Sequence, residues 1–316
     1  MKIENQTLNP EFHFQPFTTI PEIKWLLFWT FLILYLLSLL GNGSVAFIIY
    51  TVNSLHTPMY FFLANLAFLE IAYSCSIAPL TLANLGSVRK ISISLSGCGT
   101  QMFFFTFLGG SDCILLAIMA YDRCVAISHP LSYPLIMTWR RCMILVVGTW
   151  AMSGFLSFQL SLLILTLTFC GNNMSVRNFV CDFPALIKVA CGDTHAQEHG
   201  LFIISAVYLT VPVILICISY IFITVAVLRI PSALGRKRAF STCSSHIMVV
   251  LMQYSFSSLI YLCPASCLSA TQVREVSVVY TFITPVLNPL IYSLRSKELK
   301  EAMNRTFRRI MLPQKK

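Results

Sequence analysis

Two acidic residues, Glu70 and Asp112, stand in otherwise uncharged apolar stretches, and an ionisable group in such a setting is a functional candidate because its charge is costly to bury. Two ionised carboxylates at close range repel, so a neighbouring pair shares a proton or holds a cation such as Na⁺ between its members. A second candidate is Asp122-Arg123, within M-A-Y-D-R-C-V-A-I at 119–127. At the end of an apolar helix this pair makes a charged hinge where hydrocarbon gives way to water, and a partner protein can compete there for the guanidinium. The six histidines (His13, His56, His129, His195, His199 and His246) are scattered, and only His195 and His199 have four-residue spacing, with no third ligand near in sequence. Neither an enzyme nor a metal centre is expected, and nothing points to nucleic acid.

The elements that position these groups are apolar helices. Charged residues make up 11% of the chain, the mean hydropathy is +0.76, and residues 25–69 contain no Asp, Glu, Lys or Arg. Further uncharged stretches cover 71–88, 91–111, 142–176, 199–228, 239–273 and 276–294, each near or above the ~18 residues of a membrane span. The first stretch is too long for one span and breaks at 53–58, because Pro58 disfavours helix at Thr57 and removes a donor. Seven helices are expected, near 25–52, 58–84, 94–128, 139–163, 198–229, 236–264 and 271–294. The fold class is therefore an all-α membrane protein: a tail at 1–24, a seven-helix bundle at 25–294, and a cytoplasmic amphipathic helix and tail at 295–316.

Within these helices Glu70 lies twelve residues from Pro58 and Asp112 eleven from Arg123, or ~18 and ~16 Å along the axis. The two carboxylates thus share one depth, where Asn42 and Asn288 can join them. Pro212, Pro285 and Pro289 interrupt helices five and seven, which suits a protein with two conformations. Gln253, an amide inside the sixth span, either lines a cavity or bonds a neighbouring helix.

Basic residues set the orientation. With the amino terminus outside, 15 of the 22 Lys and Arg fall in cytoplasmic segments, against three acids, while the outer face balances to zero. A basic inner face attracts anionic lipid and suits an acidic protein partner. Residues 1–24 do not resemble a cleavable signal peptide, since they contain acids and prolines. Asn5 and Asn173 head glycosylation acceptors on the outer side, N-Q-T and N-M-S. Cys98, Cys170, Cys181 and Cys191 face the same oxidising compartment and suggest two disulfides, for which three pairings are open; Cys263 and Cys267 are left open as a third pair. After the last span, Leu299, Met303, Phe307 and Ile310 recur at helical spacing, as in an amphipathic helix lying on the inner leaflet.

Four motifs stand in order: L-H-T-P-M-Y-F-F-L (55–63), M-A-Y-D-R-C-V-A-I (119–127), R-A-F-S-T-C-S-S-H (238–246) and P-V-L-N-P-L-I-Y-S-L-R (285–295). In these the chain closely resembles odorant receptors, a branch of the rhodopsin-like G-protein-coupled receptors, from about Gly41 to Arg295. The resemblance implies disulfides Cys98–Cys181 and Cys170–Cys191. It also implies a switch built from Asp122, Arg123, Tyr220, His246, Asn288, Pro289 and Tyr292, and coupling to a stimulatory, olfactory-type G protein that raises cyclic AMP at the plasma membrane. The chain departs from the usual pattern in having Glu70 and Asp112 where the family more often has Asp and Glu, in Cys124 and Ser128, and in Gln253-Tyr254-Ser255.

For the ligand, the outer half of helix three offers aromatic bulk followed by room, Met102 to Phe107 and then Gly109-Gly110, and no carboxylate to hold an amine. By position in the bundle the expected liners are Phe105, Thr106, Gly109, Ser205, Tyr208, Ser257, Tyr261 and Thr281. They suit a small, uncharged, largely apolar odorant with one hydrogen-bonding group. The alternatives are the same receptor fold sensing a metabolite outside olfaction, and a small-solute transporter, against which stands the lack of symmetric internal repeats.

Overall fold

The computed structural model describes residues 11–87, 91–170, 174–262 and 268–311. Seven of its helices, or runs of helix, are long and apolar enough to cross a membrane. They are α1 (Pro21–Thr51), α2 (Pro58–Gly86) and α3 (Leu95–Ser128), then, after the short α4 (Tyr133–Ile136), α5 (Trp139–Leu165). After the short α6 (Phe183–Ile187) come α7 (His195–Leu228) and α8 (Ala233–Tyr261). The seventh span is α9 (Ala270–Val278) joined to α10 (Thr284–Arg295) through a π turn at Val279–Ile283. α11 (Lys297–Met311) follows.

Local chemistry sets these limits. Thr57 is extended (φ −122°, ψ 160°) immediately before Pro58 opens α2, as the clash with the proline ring requires. Ser94, Thr138 and Ser232 accept from backbone N–H groups in the first turns of α3, α5 and α8, and Ser269 forms a full capping box with Gln272 on α9. Large apolar side chains such as Trp29, Leu40, Ile221 and Phe222 are exposed on the outside of the bundle, whereas Ser38, Asn42, Ser74, Ser153 and Asn288 are buried inside it. The apolar outer surface is that of a bundle set in lipid, and the polar groups lie within a core that is itself mainly apolar. In lipid, close packing of small residues and interhelical hydrogen bonds hold helices together, here including Ser38 to Ser74 (3.0 Å) and Tyr254 Oη to the Cys113 carbonyl (2.8 Å).

Beyond the π turn, α10 carries a break of its own in the backbone bonding. Pro289 has no N–H to donate to the Pro285 carbonyl one turn earlier, and Asn42 Nδ2 of α1 donates to that carbonyl instead (2.9 Å). Gly41 permits the approach, since a Cβ there would lie 3.0 Å from Pro289 Cγ. Asn42 thus closes the backbone break and ties α1 to α10, rather than joining the carboxylates.

At the end of the bundle remote from Arg123, β1 (Glu11–Phe14) lies between β2 (Ser92–Ser94), antiparallel to it, and β3 (Met174–Val176), parallel to it. The expected N-terminal tail is therefore partly a strand, and α1 begins at Pro21 rather than near residue 25. Phe12 and Phe14 point the same way and are buried in a second apolar core beneath the loops, with Met102, Phe169 and Phe183. Arg274 donates to the Pro16 carbonyl (3.2 Å) and sits over the Phe17 ring, which joins this strap to the seventh span. Asn5, Asn173, Cys263 and Cys267 lie outside the described residues. On α11, Leu299 and Ala302 are buried against the bundle; the side chains of Phe307 and Ile310 lie outside the description.

Candidate ligand cavity and polar core

Two disulfides shape the α5–α7 loop: Cys98–Cys181 ties it to the bundle, and Cys170–Cys191 closes it on itself. The first fixes Cys181 to the start of α3, and Gln101 Oε1 accepts from the Cys181 amide (3.0 Å). The next two residues, Asp182 and Phe183, thereby become the roof of a cavity of about 70 Å³. Phe105, Thr106, Gly109, Gly110 and Cys113 of α3 form one wall, Leu201, Ser205, Tyr208 and Leu209 of α7 another, and Gln253, Ser257 and Tyr261 of α8 a third, with Tyr73 and Tyr280 closing the side.

Seven of the eight expected liners meet there; Thr281 does not. It lies with Ser38, Ser74 and Phe282 in a crevice toward α1 and α2. The π turn is the physical cause: one extra residue in the turn shifts the phase of the helix, so Tyr280 faces the cavity in place of its neighbour. Gln253 does both things open to it, lining the cavity and reaching the Cys113 thiol.

Asp182 is the liner that composition did not reveal. It is 1% exposed, and Oδ1 accepts from Tyr261 Oη (3.0 Å). Burial pushes its carboxyl up to about 7, against the pull of the Tyr261 hydroxyl and the nearby Phe183 amide. Tyr261 and Leu201 also border an outer cleft of about 340 Å³ whose wall carries Lys188, His195, Glu198 and His199, so the Asp182–Tyr261 bond lies between cavity and cleft.

Tyr208 lies across Gly110, with its hydroxyl donating to the Ser153 carbonyl (2.7 Å) and paired with Ser157 Oγ (3.1 Å). Ring and tether together make a fixed wall between α3, α5 and α7. Tyr254, next to Gln253, bonds the Cys113 carbonyl one residue beyond Asp112, so the cavity wall connects directly to the polar level below.

At that level Glu70 and Asp112 are both buried and within electrostatic reach of one another. Asn288 Nδ2 donates a hydrogen bond to Glu70 Oε1. Asp112 Oδ1 and Asn288 Oδ1 are buried without a hydrogen-bond partner among the described residues, an arrangement of acceptors that suits a proton or a cation. The structure thus brings Glu70, Asp112 and Asn288 together.

The remaining motif residues gather at the Arg123 end. Asp122 accepts from Tyr133 Oη of α4 (2.8 Å), and burial raises the phenol of Tyr133 above its usual range. Arg123 is 5% exposed and reaches the Cys243 thiol. His246 joins three helices: Nε2 meets the Leu116 carbonyl (3.0 Å) and Nδ1 meets Tyr220 Oη (2.9 Å). A carbonyl can only accept, so Nε2 carries the proton and Nδ1 accepts from the tyrosine. Tyr292 is buried near Arg123 and Tyr220, and its hydroxyl has no partner among the described residues. Tyr60 ties α2 to α11 through Ser296 and Glu298, both at 2.9 Å.

A lidded cavity thus lies over a buried carboxylate pair, with the hydrogen bonds of His246 toward the opposite end. The olfactory receptor family model matches residues 31–310. Among curated relatives, human olfactory receptor 10V1 is 55% identical over 96% of this chain and 98% of its own length. Human olfactory receptor 10Q1 is 51% identical over 95% and 93%, and mouse olfactory receptor 2B6 41% identical over 99% of each. The chain belongs to the olfactory receptor family, G-protein-coupled receptors that span the membrane with seven helices and are not enzymes.

Proposed function

We propose that this receptor takes a small, uncharged, largely apolar volatile molecule into the cavity roofed by Asp182 and Phe183 and activates a stimulatory, olfactory-type heterotrimeric G protein, raising cyclic AMP. The observation that carries the reading is the continuity of the cavity with the switch residues. Gln253 and Tyr254 are adjacent on α8, one lining the cavity and the other bonded to α3, and His246 lies two turns further down the same helix, bonded to α3 and α7. A ligand that presses α8 outward at Gln253, Ser257 or Tyr261 strains those bonds. Release of His246 then lets the lower half of α8 swing away from Arg123, opening a cleft for the G protein.

Further parts of the reading concern the setting. The receptor sits in the plasma membrane with its amino terminus outside, where Asn5 and Asn173 accept glycans, and its basic end in the cytosol, where α11 rests on lipid. Glu70, Asp112 and Asn288 share a proton or hold Na⁺, and movement of Asn288 with α10 changes its binding. Support comes from the sign of the charge distribution and from the unpartnered oxygens of Asp112 and Asn288.

The test is cyclic AMP in cells displaying an epitope-tagged copy, with surface staining in parallel, against uncharged volatile alcohols, aldehydes, ketones, esters and terpenoids. A dose-dependent rise absent from mock-transfected cells is expected. Silence across the panel despite strong surface staining would count against the ligand class and the coupling.

A further inference from the structure

Asp182 is the one carboxylate among the described residues that line the cavity, and no Lys, Arg or His lines it. One of its oxygens accepts from Tyr261. The other, Oδ2, is buried and has no hydrogen-bond partner among the described residues; the Phe183 amide passes close by but short of hydrogen-bond geometry. A buried acceptor left unmade carries a standing cost that only a donor can relieve. The disulfide at Cys181 and the bond from the Cys181 amide to Gln101 hold the carboxylate in the roof, so it cannot turn to water without unseating the lid.

We infer that Asp182 is the polar anchor for the ligand and selects molecules that donate a hydrogen bond, alcohols above all, over molecules of the same size that only accept one. This inference rests on the reading of the cavity as the ligand site and narrows the ligand class within it. With the Asp182 carboxyl ionised, a carbonyl or ester oxygen brought to it sets lone pair against lone pair, whereas a hydroxyl fills the vacant acceptor. Ser205, Ser257 and Gln253 can donate to a ketone elsewhere in the cavity, but those groups discriminate little because hydroxyls and amides both donate and accept. The carboxylate supplies the asymmetry. A cavity of about 70 Å³ suits a short chain ending in a single polar group.

The experiment uses the purified full chain in nanodiscs, with ligand-induced thermal shift as the binding measure and cyclic AMP in cells as the parallel output. The probes are 1-pentanol, pentanal and pentylamine. In the unmodified receptor at pH 8, where the Asp182 carboxyl is ionised, 1-pentanol is expected to act at about 10- to 100-fold lower concentration than pentanal, the worth of one hydrogen bond to a charged group. Asp182→Asn retains a carbonyl for Tyr261 and adds an N–H₂, so the two probes should come within about threefold of one another. Tyr261→Phe leaves the carboxylate in place and should keep the preference for the alcohol, which separates recognition by Asp182 from a role in holding the lid. Equal potency of pentanal and 1-pentanol, an unchanged ratio in Asp182→Asn, a lost preference in Tyr261→Phe, or no shift with any probe would overturn the inference. A donor-selective shift without cyclic AMP would leave it standing and remove the coupling reading. Cyclic AMP without donor preference would do the reverse. Pentylamine acting below 1-pentanol, with the advantage lost in Asp182→Asn, would support the anchor and replace the uncharged ligand with a cationic one.

Discussion

Gly110→Ala should be among the most damaging single-methyl additions in this receptor. A Cβ at residue 110 would lie 2.3 Å from Cε1, 2.6 Å from Cζ and 2.8 Å from Cδ1 of Tyr208, whereas carbon atoms rest at roughly 3.5–4.0 Å. The ring must therefore retreat by about 1 Å. It is not free to do so, because its hydroxyl is held by the Ser153 carbonyl at 2.7 Å and by Ser157 Oγ at 3.1 Å. Overpacking of this kind costs about 1–3 kcal/mol, and breaking the hydroxyl from its partners leaves buried polar groups at a further cost of about 1–3 kcal/mol. The sum, about 2–6 kcal/mol, corresponds to a fall in midpoint on the order of 10 °C, taking roughly 2–4 °C per kcal/mol. The assay is thermal denaturation of the solubilised receptor, with Gly148→Ala as the control, since a Cβ at residue 148 meets nothing within 4 Å. Placing Gly110→Ala in a Tyr208→Phe background should recover part of the loss, because the untethered ring can retreat. A Gly110→Ala receptor as stable as Gly148→Ala, or no recovery in the double variant, would refute the tethered wall.

Asp182 makes stability depend on pH. Its folded carboxyl lies near 7 and an unfolded aspartate near about 4, so between those values the folded state binds more protons. The contribution of Asp182 to stability should be greatest below pH 4 and fall as pH rises to 7; Asp182→Asn should remove this component of the slope in thermal melts, and an unchanged slope would assign it elsewhere. His246→Ala removes the bond to the Leu116 carbonyl and the bond from Tyr220, worth about 1–3 kcal/mol together, and should raise ligand-independent cyclic AMP severalfold at matched surface level, where a fall would contradict its role as a lock. Replacing Glu70 with Gln and Asp112 with Asn should abolish any dependence of activation on Na⁺; a salt response identical to that of the unmodified receptor would exclude these carboxylates as its source.

The seven spans are legible because their length and lack of charge are properties of each segment alone, and the break at Pro58 follows from one ring and its neighbour. The carboxylate level is legible too, since Glu70 and Asp112 can be placed by counting from fixed helix ends. What escapes local reading depends on distant partners. β1 is four residues long, and its neighbours lie at Ser92–Ser94 and Met174–Val176, so only the alternation of Phe12, His13 and Phe14 hints at a strand with one buried face. Asp182 belongs to a loop, and only the disulfide at Cys181 turns it inward; an acid immediately after a bridging cysteine is the one available signal. Thr281 is displaced by a π turn that a 3.6-residue period does not anticipate, although Pro285, which interrupts the backbone bonding nearby, marks where the period fails.

The central claim is that occupation of the cavity under Asp182 drives the switch at Arg123, and two variants measured side by side test it most directly. Ser257→Trp fills the cavity from α8 without touching the lower end, and Arg123→Ala removes the switch cation while leaving the cavity intact. With each at normal surface level, both should lose ligand-driven cyclic AMP, while Arg123→Ala alone keeps the ligand-induced thermal shift. Full cyclic AMP output from either variant, or a retained thermal shift in Ser257→Trp, would contradict the account.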